Sequence, residues 1–192
     1  MVANKLPTIQ KSPTRIEGLD QILQGGLPTG RTTLVIGGPG TGKSLFGLEF
    51  LYRSALSGEP GIFISFEERA GALRDNAGTL GWQLAPLEER SLFFLFEARI
   101  DPKAVITGEF GIQSFLAILD HKLKAMGARL VVIDALDVLM RLINDEQREQ
   151  NELLALHRWL EERGVTALLS VKAPRDIDAT KVRANDGTLS DG

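Results

Sequence analysis

The stretch Gly37-Gly38-Pro39-Gly40-Thr41-Gly42-Lys43-Ser44 constrains this chain more than any other. It fits the pattern G-x-x-x-x-G-K-[S/T] at every fixed position. It also stands where that pattern has a mechanism. Before it lies a β-branched apolar run, Thr32-Thr-Leu-Val-Ile36; after it, Leu45, Leu48, Tyr52, Ala55 and Leu56 recur at helical spacing. A loop of this kind between a strand and a helix wraps closely enough for backbone N–H groups to point at phosphate oxygens. The helix N-terminus adds partial positive charge. The spacing therefore assigns Gly38, Pro39, Gly40, Thr41, Gly42, Lys43, Ser44 and the following Leu45 to a nucleotide-binding set. Within it, Lys43 reaches the β- and γ-phosphates as a catalytic cation and Ser44 offers its hydroxyl to Mg²⁺. A glycine-rich turn that binds nothing is the bland alternative, and the complete motif in its proper context weighs against it.

The strand and helix around that loop open a repeating pattern. Apolar runs at 32–36, 62–66, 92–96, 130–133 and 165–171 predict strands, the first of them buried. Helical periodicity at 20–24, 44–57, 68–80, 111–126 and 145–163 alternates with them. Near-continuous apolar strands separated by helices indicate an α/β fold, a mainly parallel doubly wound sheet with helices on both faces. With 192 residues the chain suits a single domain. Residues 1–13 read as an exposed, flexible arm and 14–171 as the core. Residues 172–192 read as a polar loop, with the domain stopping short of its final strands and the strand at 165–171 left on an open side of the sheet.

Acidic residues follow two of the strands. Asp134 comes directly after Leu130-Val-Val-Ile133, where an aspartate holds Mg²⁺ in nucleotide hydrolases. Glu67 and Glu68 follow the run 62–66, at the edge of a parallel sheet that lines the ligand crevice. Spacing leaves two readings of them open: orientation of an attacking water, or two acids favoured by a helix dipole. Asp137 reads as a cap or a solvent-facing acid, and the acidic run 145–152 as a solvated helix start. His157 reads as a packing histidine beside Trp159, with Trp82, Trp159 and the phenylalanines as core filling. Arg15, Arg31 and Arg175 are candidate phosphate contacts that no spacing singles out.

Composition then removes whole classes of chemistry. There is no cysteine and there are only two histidines, which excludes disulfides, thiolate catalysis and histidine-rich metal centres. A net charge of −3 speaks against a broad nucleic-acid footprint, though strand-exchange proteins keep a DNA-binding alternative on the page. No apolar run is long enough to span a bilayer and the start carries no secretory signal, so the cytoplasm is the default compartment.

Several further segments occur in order around these motifs: Gly18-Leu19-Asp20, Gly25-Gly26-Leu27-Pro28, Gly30-Arg31, Phe66-Glu67-Glu68 and Gly81-Trp82. Together with the phosphate loop and Val131-Val-Ile-Asp134 they make residues 14–171 resemble the KaiC family of RecA-like ATPases. The resemblance implies a RecA-like P-loop core, MgATP bound between subunits of a homo-oligomeric, hexameric ring, and regulatory protein partners. It makes Glu67 and Glu68 a catalytic pair and places Thr79 near the nucleotide. It also carries serine/threonine autokinase activity and an ATP-binding scaffold with little turnover as alternatives. Lys181-Val-Arg183 has the letters of the family's trans-acting segment but comes too early to take that role, and no autophosphorylation pair is recognisable.

Overall fold

A computed structural model describes residues 9–98, 112–143 and 145–173. The strands are β1 (Lys11–Ser12), β2 (Leu27–Pro28), β3 (Thr32–Gly37), β4 (Gly61–Ser65), β5 (Phe93–Glu97), β6 (Leu130–Asp134) and β7 (Thr166–Lys172). The helices are α1 (Leu19–Ile22), α2 (Lys43–Leu56), α3 (Ala70–Thr79), α4 (Ala85–Glu89), α5 (Ile112–Met126), α6 (Leu136–Leu142) and α7 (Glu146–Glu162). Five strands form one parallel sheet in the order β3-β7-β6-β4-β5. That is the fold class the alternation predicts.

Both faces of the sheet are covered because its central strands are apolar at successive positions. Ile62, Ile64, Val131, Ile133, Ala167 and Leu169 pack with Phe115, Leu116 and Leu119 of α5 and Leu156, Trp159 and Leu160 of α7. Phe63, Val132 and Leu168 point the other way, onto Leu48 and Leu51 of α2, Leu73 and Ala77 of α3 and Leu87 of α4. Burial of such side chains stabilises by roughly 1.5–3 kcal/mol each. Trp82 stacks on Tyr52 with ring centroids 5.8 Å apart and joins the second cluster, as expected of core filling.

Four features depart from the sequence expectations. The strand at 32–36 is not buried: β3 has β7 on one side, and Leu34 and Ile36 are 55% and 60% exposed. Its apolar run is that of a covered strand, but among the described residues pairing puts it at the sheet's edge. The last strand, β7, lies between β3 and β6 instead of at an open side. His157 is exposed, 3.5 Å from Glu161, because it sits one residue past the buried Leu156 and turns away from Trp159. Finally, the end of the predicted arm is paired. Lys11 and Ser12 run antiparallel to Leu27 and Pro28, and Thr14 is fully buried. Residues 1–8, Arg175 and Lys181-Val-Arg183 lie outside the described residues.

Candidate functional site

Parallel strands end at a common edge, and here that edge gathers the polar residues. β3 stops at Gly37, β4 at Ser65, β6 at Asp134 and β7 at Lys172. Register places Ser65 opposite Asp134, and Gly37 opposite Lys172. A cavity of about 460 Å³ opens over this edge. Its walls include Pro39, Gly40, Thr41, Gly42, Lys43, Ser44 and Leu45 from the loop and α2, Glu67 and Glu68 beyond β4, Asn76, Thr79 and Leu80 of α3, then Asp134, Ala135 and Lys172.

The loop takes its shape from two positions in the left-handed region, which favours a residue without Cβ. Gly40 and Gly42 have φ of 74° and 85°, and Gly42 leads directly into α2. The Thr41 hydroxyl donates to the Gly38 carbonyl at 2.9 Å and closes the turn. Lys43 Nζ donates to the carbonyls of Gly37 at 2.8 Å and Gly38 at 2.7 Å, so its ammonium is held against the loop. Gly38 contributes through that carbonyl and does not line the cavity wall.

The carboxylates divide into two settings. Asp134 is buried, and the Ser170 hydroxyl donates to its Oδ1. The backbone beyond β4 is tied to it, since Phe66 N–H donates to the Asp134 carbonyl at 2.7 Å. Glu68 is anchored by Ser65, whose hydroxyl accepts from its N–H at 3.0 Å and donates to its carbonyl at 2.7 Å. Desolvation pushes the Glu68 carboxyl above the usual carboxylate range, and the charges of Asp134 and Glu67 add to the rise. A hydrogen bond from the Ser44 hydroxyl opposes it. Asn76 Nδ2 approaches its other side at 3.3 Å. Glu67 instead faces out to Lys172, with Nζ 2.5 Å from Oε1.

The sequence-predicted residues therefore meet in one place. Thr79 ends α3 at the cavity wall with its hydroxyl bound to the Asn76 carbonyl at 2.7 Å. Asp137 lies in the first turn of α6 and accepts from Lys172 N–H at 3.1 Å, a capping role on the end of β7. Two candidate arginines are elsewhere. Arg15 is paired with Glu59 at 2.6 Å, and Arg31 precedes β3, so both lie toward the opposite end of the strands. Lys172, Asn76, Ser65 and Ser170 were not foreseen. For Lys172 there was a signal: a cation directly after a buried apolar run, at the same strand end as the acids.

Ser44, Glu68 and Asp134 supply hard oxygen donors of the kind a divalent cation takes. Among the described residues no group of three or more His, Cys, Asp or Glu converges to make a protein cage. A hydroxyl and one or two carboxylates suit Mg²⁺, which completes its shell with waters and phosphate oxygens.

Comparison with known proteins bears on the family and fold of the chain. A family model described as the ATPase KaiC matches residues 12–185. The circadian clock protein KaiC2 of Synechocystis is 37% identical over 162 residues, covering 83% of this chain and 28% of that protein. The circadian clock oscillator protein KaiC of Parathermosynechococcus lividus is 34% identical over 171 residues, 88% of this chain and 32% of its own length. Among solved structures, a KaiC-like protein from the hyperthermophilic archaeon Pyrococcus horikoshii superimposes with a TM-score of 0.76 at 32% identity. That match covers 87% of this chain and 72% of the other. The chain spans about a third of the length of the curated relatives it matches.

Proposed function

The chain belongs to the KaiC family of RecA-type P-loop ATPases, and from that premise we propose that it binds MgATP in the cavity over the strand ends and hydrolyses it. The observation that carries this reading is the convergence of Lys43, Ser44, Glu68 and Asp134 on one cavity beside the loop. In this reading the backbone N–H groups of 38–44 hold the phosphates, and Lys43 moves from its loop carbonyls onto them. Ser44 and Asp134 would hold Mg²⁺, whose charge would offset that on the transferred phosphoryl group. Glu68, the less solvated of the two glutamates, orients the attacking water, with Glu67 beside it. Thr79 and Leu45 border the nucleotide.

Turnover drives a change of shape or partner in a ring of identical subunits in the cytoplasm, with regulatory proteins reading the nucleotide state. No helix among the described residues is long and apolar enough to cross a membrane. The autokinase and scaffold alternatives have no residue in the cavity that favours them over hydrolysis. A DNA-binding role is opposed by the −3 charge. The test is equilibrium binding of MgATP to wild-type chain and to Lys43→Ala. The variant is expected to lose detectable binding, and normal binding by it would rule out the phosphate-loop assignment.

A further inference from the structure

We propose that Lys172 is the residue by which the site tells a triphosphate from a diphosphate: its ammonium leaves Glu67 for the terminal phosphate of bound ATP, freeing the Glu67 carboxylate. This rests on the reading of the cavity as a MgATP site. Four observations lead to it. Lys172 is the last residue of β7, in register with Gly37, the first residue of the phosphate loop. Its backbone is fixed there, with Lys172 N–H donating to Asp137 at 3.1 Å and the next residue, Ala173, donating to the Gly37 carbonyl at 3.1 Å. Its side chain, by contrast, reaches into the same cavity as residues 39–45, Glu68 and Asp134. Among the described residues its ammonium pairs with one oxygen of Glu67, a side chain that is 46% exposed.

An ion pair whose carboxylate is nearly half exposed is weak, because that charge is well solvated and screened without its partner. A terminal phosphate carries more charge and more acceptor oxygens than one carboxylate, and it would sit in a cavity partly closed to water. The ammonium therefore exchanges partner when a third phosphate is present and keeps Glu67 when only two are. Lys43 makes only part of this distinction, because from the head of α2 it reaches the β-phosphate common to both nucleotides as well as the γ-phosphate. The competing account is a surface ion pair that adds a little stability and ignores the ligand.

Titration calorimetry of MgATP and MgADP against the full chain separates the two. Lys172→Met is expected to weaken MgATP binding by about tenfold or more, the loss of a charge-assisted hydrogen bond, while MgADP binding changes by less than about twofold. Lys172→Arg should retain most of the ATP preference. Glu67→Gln removes the competitor for the ammonium and should raise the ATP/ADP preference, a change opposite in sign to that of Lys172→Met. A purely structural pair would move thermal stability in both variants and leave that ratio alone. An unchanged ratio in Lys172→Met, with Lys43→Ala losing both nucleotides, overturns this proposal and leaves the MgATP site standing. A wild-type chain that binds neither nucleotide overturns both. Should Lys172→Met fail to fold, an unchanged ratio in Glu67→Gln overturns the proposal by itself.

Discussion

Glu68 stands at the wall of the cavity, with Asn76 Nδ2 3.3 Å from its carboxylate. Desolvation, then the negative charges of Asp134 and Glu67, raise its pKa above the ordinary 4.5. A carboxyl whose folded pKa exceeds its unfolded one contributes most to stability below the unfolded value. That contribution is lost as pH rises through the folded value. Glu68→Gln is therefore expected to melt higher than wild type at neutral pH, with the difference vanishing below about pH 4.5. Equal melting temperatures at pH 7 would show that the ionised carboxylate costs nothing. The same substitution combined with Glu67→Gln should keep MgATP binding and lose turnover. A phosphate-release assay checks this, and undiminished release would remove both glutamates from the mechanism.

Among the elements, α2 packs tightly on the sheet at Gly47. A Cβ there would lie 2.7 Å from Val132 Cγ1 and 3.3 Å from Phe63 Cε2, both on buried strands. Alanine in a helix interior gains about 1 kcal/mol over glycine, but overpacking a tight core costs roughly 1–3 kcal/mol. Gly47→Ala is thus expected to lose up to about 2 kcal/mol in denaturant unfolding, and a more stable variant would contradict the close approach. At the other end of the strands, Asp20 of α1 ties down the chain entering the domain. It accepts from Thr14 N–H at 2.8 Å, the Thr14 hydroxyl at 2.7 Å and Arg15 N–H at 2.9 Å. Burial acts to raise its pKa, but these hydrogen bonds and the Arg15 charge outweigh it and hold the carboxyl below the usual 3.8. The stability it supplies is present above pH 3.8 and is lost as pH falls through the lowered value. Asp20→Ala should cost roughly 1–3 kcal/mol at neutral pH and progressively less in acid. A penalty independent of pH would refute the role of the charge. Asp145 works more simply. Within the run expected to be a solvated helix start, its side chain accepts from Arg148 N–H at 2.7 Å and caps α7.

Across the whole molecule, the five-stranded sheet leaves β3, the strand feeding the phosphate loop, with one neighbour among the described residues. Leu34 and Ile36 stand exposed there, next to an apolar groove of about 540 Å³ that also involves Met140, Leu153, Leu156 and Leu169. The proposed ring belongs at this scale too. Saturating MgATP is expected to shift the mass of the chain, measured by light scattering, from monomer toward a closed multiple. A monomer under saturating MgATP would oppose the ring for this stretch of the protein.

By itself the sequence determined the class of the fold, the strand–loop–helix at 32–57 and the acids at the strand ends. Those are local properties: a run of apolar residues, its period, and the side chain that follows it. Asp134 was legible because one strand and its last residue are enough to describe it. The helix α6 and the short pair β1 and β2 were missed because their few residues carry too little period to read. Tertiary structure alone decided the order of the strands, since pairing depends on partners far apart in the chain. It made β3 an edge strand among the described residues although its composition is that of a buried one. It separated Glu67 from Glu68, which are neighbours in sequence, into one carboxyl turned to Lys172 and another turned to Ser44. And it brought Lys172 beside Gly37, because β7 enters the sheet between the strand of the loop and the strand of Asp134.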